Sequence, residues 1–213
     1  MVGLQEVLIA SGNPKKIREI RGLLAPLSVH VLTPDEVGPL PEVIEDAPTF
    51  AGNAAKKARE TACATGRWCL ADDSGLEVEA LDGAPGVFSA RFAGEHGDDA
   101  ANNEKLLALL EGKSPEQRGA RFVCALALAN PEGEVIAQFE GTAEGRILDA
   151  PRGSGDFGYD PLFEIAEFHR TFGELGSTVK AVLSHRSRAT RRLLPQLRAL
   201  RAGWHDQLEE SRS

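Results

Sequence analysis

The sequence predicts an α/β protein built on a mixed β-sheet with flanking helices. Three observations carry this. The chain opens with a short apolar run, then apolar residues at helical spacing, then a second apolar run. Further on, residues 122–129 and 135–139 read as neighbouring strands joined by the turn signal Asn130-Pro131-Glu132-Gly133. The last strong pattern, residues 187–200, places Ala189, Leu193, Leu197 and Leu200 on one side of a helix. With 213 residues, 42% of them hydrophobic and 26% charged, the chain has the length and composition for one substantial core.

The elements follow in order. Residues 7–10 form a strand, and Pro14 opens a helix where its missing N–H costs nothing. Ile17, Ile20 and Leu24 line that helix, and residues 29–32 form the next strand. Residues 33–48 carry four prolines and many acids and are read as a loop without regular structure. Thr49 caps a helix running through Asn53, Lys57 and Ala62. Residues 68–71 are a short strand ending at Asp72-Asp73-Ser74-Gly75, and residues 76–80 resume an extended pattern. The glycine-rich residues 82–97 are expected to be a long functional loop, and residues 98–110 a helix. Residues 122–129 are apolar on both faces, which marks a central strand. No linker divides residues 1–201, which are read as one domain. Residues 202–213 are read as a flexible C-terminal tail.

Several function classes are disfavoured at once. The longest apolar run is too short to cross a bilayer, and no basic n-region opens the chain, so the cytoplasm is the expected compartment. The net charge of −8 argues against a nucleic-acid backbone as the main partner and favours a small anionic ligand in a local pocket. Cys63, Cys69 and Cys124 form no C-x-x-C pair and are each expected to be buried free thiols. The histidines make no H-x-x-x-H pair, so no zinc site is expected.

Four segments could carry chemistry. Ser11-Gly12-Asn13-Pro14-Lys15-Lys16 lies between a strand and a helix, where backbone N–H groups and the helix dipole favour an anion. Lysines in a first helical turn oppose the dipole, a cost that makes sense if a phosphate sits there. Alone, the segment is equally a plain turn, and it is not a P-loop. Asp72 and Asp73 follow a strand; on an extended backbone they point to opposite sides, so one can hold Mg²⁺ or a water and the other the local backbone. An Asx-rich turn is the plain alternative. Gly153-Ser154-Gly155-Asp156-Phe157-Gly158-Tyr159-Asp160 combines close-approach glycines with two flat rings on which a base could stack, or rings that plug the core. Ser184-His185-Arg186, with Lys180 upstream, gathers donors for an anion or a purine oxygen, or forms a solvated helix end. For His185 alone a structural role is the better reading.

Taken in order, these motifs resemble the inosine triphosphate pyrophosphatase family, the HAM1-like enzymes. The match runs through Ser11-Gly12-Asn13-x-x-Lys16, Thr49-Phe50-x-x-Asn53-Ala54, Ala71-Asp72-Asp73-Ser74-Gly75-Leu76, Gly83-Ala84-Pro85-Gly86, Ser89-Ala90-Arg91, Phe157-Gly158-Tyr159-Asp160-Pro161 and Ser184-His185-Arg186. The resemblance implies an elongated fold with two lobes around a substrate cleft, and a homodimer. It implies Mg²⁺-dependent hydrolysis of ITP, dITP or XTP to the monophosphate and pyrophosphate. Ser11, Asn13 and Lys16 would hold the triphosphate, with Gly12, Pro14 and Lys15 in the same loop and Lys57 as a further phosphate contact. Asp73 would be general base and magnesium ligand, and Ser74 would touch substrate. Phe157, Gly158, Tyr159, Asp160, Lys180, His185 and Arg186 would hold base and sugar. The second metal ligand would be Glu45, although relatives often show paired glutamates where this chain reads Glu45-Asp46, so either residue could serve.

An aspartate of ordinary pKa is a weak base near neutrality, so metal-activated water is expected to carry much of the activation. Selectivity is expected from donors to the purine 6-oxo group, which adenine lacks. Three other readings make distinct predictions. A pyrophosphatase for other nucleotides would show a different substrate panel. A nucleotide sensor would bind without turnover. A phosphatase using an aspartate nucleophile would release orthophosphate.

Overall fold

The computed structural model describes residues 4–27, 29–155 and 157–210, with side chains described through 202. Seven strands form one mixed sheet in the order β2-β1-β3-β4-β5-β6-β7. They are β1 (Glu6–Ile9), β2 (His30–Leu32), β3 (Cys69–Val78), β4 (Gly119–Ala129), β5 (Val135–Ile147), β6 (Phe163–Ile165) and β7 (Arg170–Thr171). The helices are α1 (Pro14–Leu24), α2 (Pro34–Val37), α3 (Phe50–Thr65), α4 (Asp99–Leu109), α5 (Phe172–Leu183) and α6 (His185–Glu210). The expected α/β class with a mixed sheet is what the chain forms.

β1 lies between two parallel partners, with Leu8 in register with Leu32 of β2 and Cys69 of β3. Covered on both faces, its Val7, Leu8 and Ile9 are all buried, which is why the run is apolar without alternation. The other end of the sheet is antiparallel: β6 pairs with β5 and with β7. The expected central strand is β4, with Phe122 through Ala129 buried.

The chain divides into two compact units. The first comprises Met1–Asp73, Ala125–Glu140 and Arg188–Ser213; the second comprises Ser74–Cys124 and Gly141–Ser187. In the second, Leu76, Leu106, Phe122, Tyr159, Phe163 and Phe172 share one apolar core. Phe122 is its hub, with ring centroids 4.4 Å from Phe163 and 5.4 Å from Phe157.

Three expectations are corrected. The strand at residue 68 does not stop at Asp72: β3 runs on through Asp72, Asp73, Ser74 and Gly75 to Val78. The proline-rich region contains the helical turn α2, for which Pro34 at the first position and the capping box of Thr33 and Glu36 are sufficient cause. Helix α6 continues through Gly203 to Glu210, across most of the residues read as a C-terminal tail, and residues 211–213 lie outside the described residues. Cys63 is exposed, whereas Cys69 and Cys124 are buried as expected.

Candidate active site

The first cluster is assembled by β1, α1, α3 and the first half of β3, all within the first unit. The Asn13 side chain caps α1, its Oδ1 accepting from the N–H groups of Lys15 (2.9 Å) and Lys16 (3.3 Å). The Asn13 N–H is donated in turn to the Ser11 hydroxyl at 3.2 Å. An amide oxygen thus sits where the helix start would otherwise favour an anion. Gly12, Asn13, Pro14 and Lys15 are exposed, and Ser11 is buried.

Lys16 reaches back along the sheet and places Nζ 2.6 Å from Oδ1 of Asp72, a residue with no exposure. This pairing is why two consecutive aspartates can lie inside a buried strand: one has a cation beside it, so its charge need not be solvated. Asp72 is therefore the member of the pair that serves the local structure.

Asp73 is the other member. Burial pushes its carboxyl up from the ordinary 3.8 to about 6, and the neighbouring Glu45 carboxylate adds to the rise. Lys16, Lys57 and the Asn53 amide act in the opposite direction without cancelling it. An aspartate near 6 is better matched to proton abstraction at neutral pH than the ordinary value assumed from sequence.

Glu45 and Asp46, the two alternatives for a second metal ligand, sit differently. Glu45 is ion-paired with Lys57 and stands close enough to Asp73 to disfavour its charge. Asp46 pairs with Lys56 at 2.7 Å and its side chain is 66% exposed. Among the described residues no group of three or more His, Cys, Asp or Glu side chains is arranged to hold a metal. A close carboxylate pair with phosphate oxygens to come from a ligand is nonetheless the donor set that Mg²⁺ takes, since it keeps waters and needs few protein ligands.

The second cluster lies in the second unit. Phe157 and Gly158 are half-buried, and the remaining members are buried. Phe157 can therefore offer a ring face, with Lys180 Nζ 5.7 Å and the Arg186 guanidinium 5.8 Å from its centroid. Tyr159 cannot: it is 2% exposed and its hydroxyl is donated to the Ser89 carbonyl at 2.8 Å. Its expected role as a stacking surface gives way to a role in the core. Asp160 has no exposure, pairs with Lys180 and accepts the Phe157 N–H at 2.9 Å, so it shapes the loop from beneath. His185 stacks on Phe122 with centroids 5.0 Å apart, which favours its structural reading. Arg186 Nη2 donates to the Ser74 hydroxyl at 2.9 Å. Asp156 lies outside the described residues.

Some positioning residues escaped the reading of the sequence. The Ser89 hydroxyl accepts from the Leu76 N–H and donates to the Gly86 carbonyl, and a side chain at Gly75 would overlap it. Asn103 donates to the Gly158 carbonyl at 2.7 Å, and a side chain at Gly158 would meet Asp99. The Ser89 motif and the Asn102-Asn103 pair were visible, but only the fold brings them to these loops.

The first unit thus holds a buried acid with two lysines near it, groups suited to phosphate, and the second an aromatic ring with cations about it, suited to a flat ring. The chain belongs to the Ham1 family, whose model matches residues 7–196. It is 51% identical over 192 residues to a dITP/XTP pyrophosphatase of Rhodopirellula baltica, covering 90% of this chain and 92% of that one. It is 49% identical over 195 residues to the enzyme of the same name from Desulforamulus reducens, covering 92% and 96%. Among solved structures, the Ham1 protein of Staphylococcus aureus superposes with a TM-score of 0.81 at 39% identity, over 91% of this chain and 98% of that one. A HAM1 protein from Coxiella burnetii gives 0.82 at 40% identity, over 90% and 98%.

Proposed function

We propose that this protein hydrolyses ITP, dITP and XTP to the nucleoside monophosphate and pyrophosphate, clearing these nucleotides from the pool. The observation that carries the reading is Asp73: a buried carboxylate raised to about 6, set between Lys16, Lys57 and Glu45. Names borne by relatives at about half identity over nearly the full chain support the substrate class.

Lys16, Lys57 and the Ser11–Lys16 loop are assigned to the triphosphate, where cations offset charge that builds on the phosphate oxygens. Asp73 is assigned as the base that takes the proton of the attacking water. Asp73 and Glu45 would hold Mg²⁺, which when bound draws charge from the phosphates and favours ionisation of water. Phe157 supports the base by stacking, while Lys180, His185, Arg186 and Ser74 border it. A donor facing the 6-oxo group would be left unsatisfied by adenine, which sets the direction of selectivity.

The same proposal includes a homodimer, open to sedimentation analysis. Among the described residues no helix is long and apolar enough to cross a membrane. The decisive measurement is pyrophosphate release with Mg²⁺ from ITP, dITP, XTP, ATP and GTP. A kcat/KM for ITP and XTP well above that for ATP is expected. Equal values would remove the selectivity, and orthophosphate as first product would remove the reaction.

A further inference from the structure

The segment that carries Glu45 is gripped residue by residue from one helix. Lys57 of α3 pairs with Glu45, Lys56 pairs with Asp46, and Asn53 Oδ1 accepts the Ala47 N–H at 2.9 Å. Gly52 lies so close to Ala47 that a side chain there would press on it. Two of these grips are lysine pairs, of which Lys56–Asp46 is largely exposed and therefore weak. The Asn53 bond is different, because Asn53 is 1% exposed and the bond is neutral and directional.

An amide has one acceptor end and one donor end. The acceptor end of Asn53 is taken by Ala47. The donor end is buried and has no hydrogen-bond partner among the described residues, and the amide is near enough to Asp73 to favour its ionised form. One side chain is therefore bonded to the 45–47 segment and lies near Asp73 of β3, the two pieces of chain that carry the carboxylates. Neither piece is bonded to the other in sequence, and residues 39–47 form no helix or strand that would fix them otherwise.

We propose that Asn53 is a positioning residue that sets the spacing of Glu45 and Asp73, and so the affinity of their pair for a divalent cation. This deepens the function proposed above and rests on its assignment of Glu45 and Asp73. The two ends of the amide can be separated by substitution. Asn53→Leu keeps the volume and removes both ends. Asn53→Asp keeps the acceptor for Ala47 and turns an oxygen toward Asp73. Ala47→Pro removes the loop's N–H and leaves Asn53 untouched, which guards against a variant that fails to fold.

Three readouts test the proposal: hydrogen exchange of residues 45–47, binding of Mn²⁺ alone by the free protein, and steady-state turnover of ITP. In Asn53→Leu, exchange at Ala47 should rise, Mn²⁺ affinity should fall about tenfold or more, and kcat should fall similarly with KM for ITP within about twofold. Asn53→Asp should retain slow exchange at Ala47 yet lose kcat. Ala47→Pro should lose Mn²⁺ affinity although α3 is unchanged. A folded Asn53→Leu with wild-type Mn²⁺ affinity and wild-type kcat would overturn the proposal, as would an Ala47→Pro variant with unchanged Mn²⁺ affinity. If the wild-type protein releases no pyrophosphate from ITP, the proposed function fails, and the exchange and Mn²⁺ measurements still decide the role of Asn53.

Discussion

Lys16 Nζ lies 2.6 Å from Oδ1 of Asp72, joining the first turn of α1 to the middle of β3. The two ends of the pair differ in burial: the Lys16 side chain is 15% exposed and Asp72 is not exposed at all. Removing the lysine leaves a charge in the interior without this cation, whereas removing the acid leaves an ammonium that can reach water. Lys16→Met should therefore destabilise the fold by about 3 kcal/mol, and Asp72→Asn by about 1–2 kcal/mol. Urea unfolding of both variants checks the order; a smaller loss in Lys16→Met than in Asp72→Asn would refute it.

Asp73 has the reverse energetics. Its pKa is raised by burial to about 6, so the folded state favours its neutral form. That contribution to stability is complete below the unfolded value of 3.8 and is lost as pH rises through about 6. Above that pH the ionised carboxylate is a burden on the fold, worth at most about 3 kcal/mol. Asp73→Asn should abolish pyrophosphate release and yet unfold later than wild type by about 1–3 kcal/mol at pH 8 without divalent cations. The advantage should shrink toward pH 4. A variant less stable than wild type at pH 8 would contradict this account.

What was legible in the sequence follows from how local the cause was. β1, α1 and β4 announced themselves because burial on one or both faces writes a period into neighbouring residues. β3 was read as two pieces because two aspartates and a glycine look like a turn. The neutralising Lys16 is remote in sequence, and so is Ser89, which fills the space a side chain at Gly75 would need. β6, β7 and α5 were missed for other reasons. The strands have three and two residues, and α5 is interrupted at Gly176, with φ 74°. The capping box of Thr171 and Glu174 was the available signal for that helix. In the site, the Asp72–Asp73 pair and the Phe157–Tyr159 loop could be singled out by type and context, while the choice of Asp73 within the pair came from the resemblance. That Tyr159 and Asp160 face inward could not, since adjacent aromatic and acidic residues in a glycine-rich loop carry no period.

The two rings of that loop should respond differently to substitution. Phe157 is half-buried with cations about its ring, whereas the Tyr159 hydroxyl is committed to the Ser89 carbonyl. Phe157→Ala should raise KM for ITP about tenfold, in line with the loss of one base-stacking contact. Tyr159→Phe should leave KM within about twofold and cost about 1–2 kcal/mol of stability through the unsatisfied carbonyl. Kinetics paired with thermal unfolding distinguishes the two; a KM effect confined to Tyr159→Phe would reverse the assignment.

The thiols offer a test of the fold itself. Cys63 is exposed on α3, while Cys124 is buried and burial pushes the Cys69 thiol up to about 11. Thiolate is the reactive form, so Cys69 is protected by chemistry as well as by access. A chromogenic disulfide reagent at pH 8 should titrate one thiol rapidly in the native protein and three after denaturation. Loss of the rapid phase in Cys63→Ser would confirm the assignment, and persistence of that phase would place the exposed thiol elsewhere.

Glu164 anchors the antiparallel end of the sheet. Its carboxylate is held between Arg146, its register partner on β5, and Arg152 at 2.9 Å. Burial alone would push its pKa up, but the two guanidinium groups more than reverse this and hold it below the ordinary 4.5. The stabilisation is therefore present above the unfolded value and is lost as pH falls through the lower folded value. Both arginines are about two-fifths exposed, at 40% and 42%, so solvent screening reduces what the pairs contribute. Glu164→Gln should cost about 1–2 kcal/mol at pH 7, in denaturant unfolding at low salt, and the difference from wild type should close as pH falls from 4.5 through the lower folded value. A difference that persisted unchanged to pH 3 would assign the cost to packing of the side chain instead of its charge.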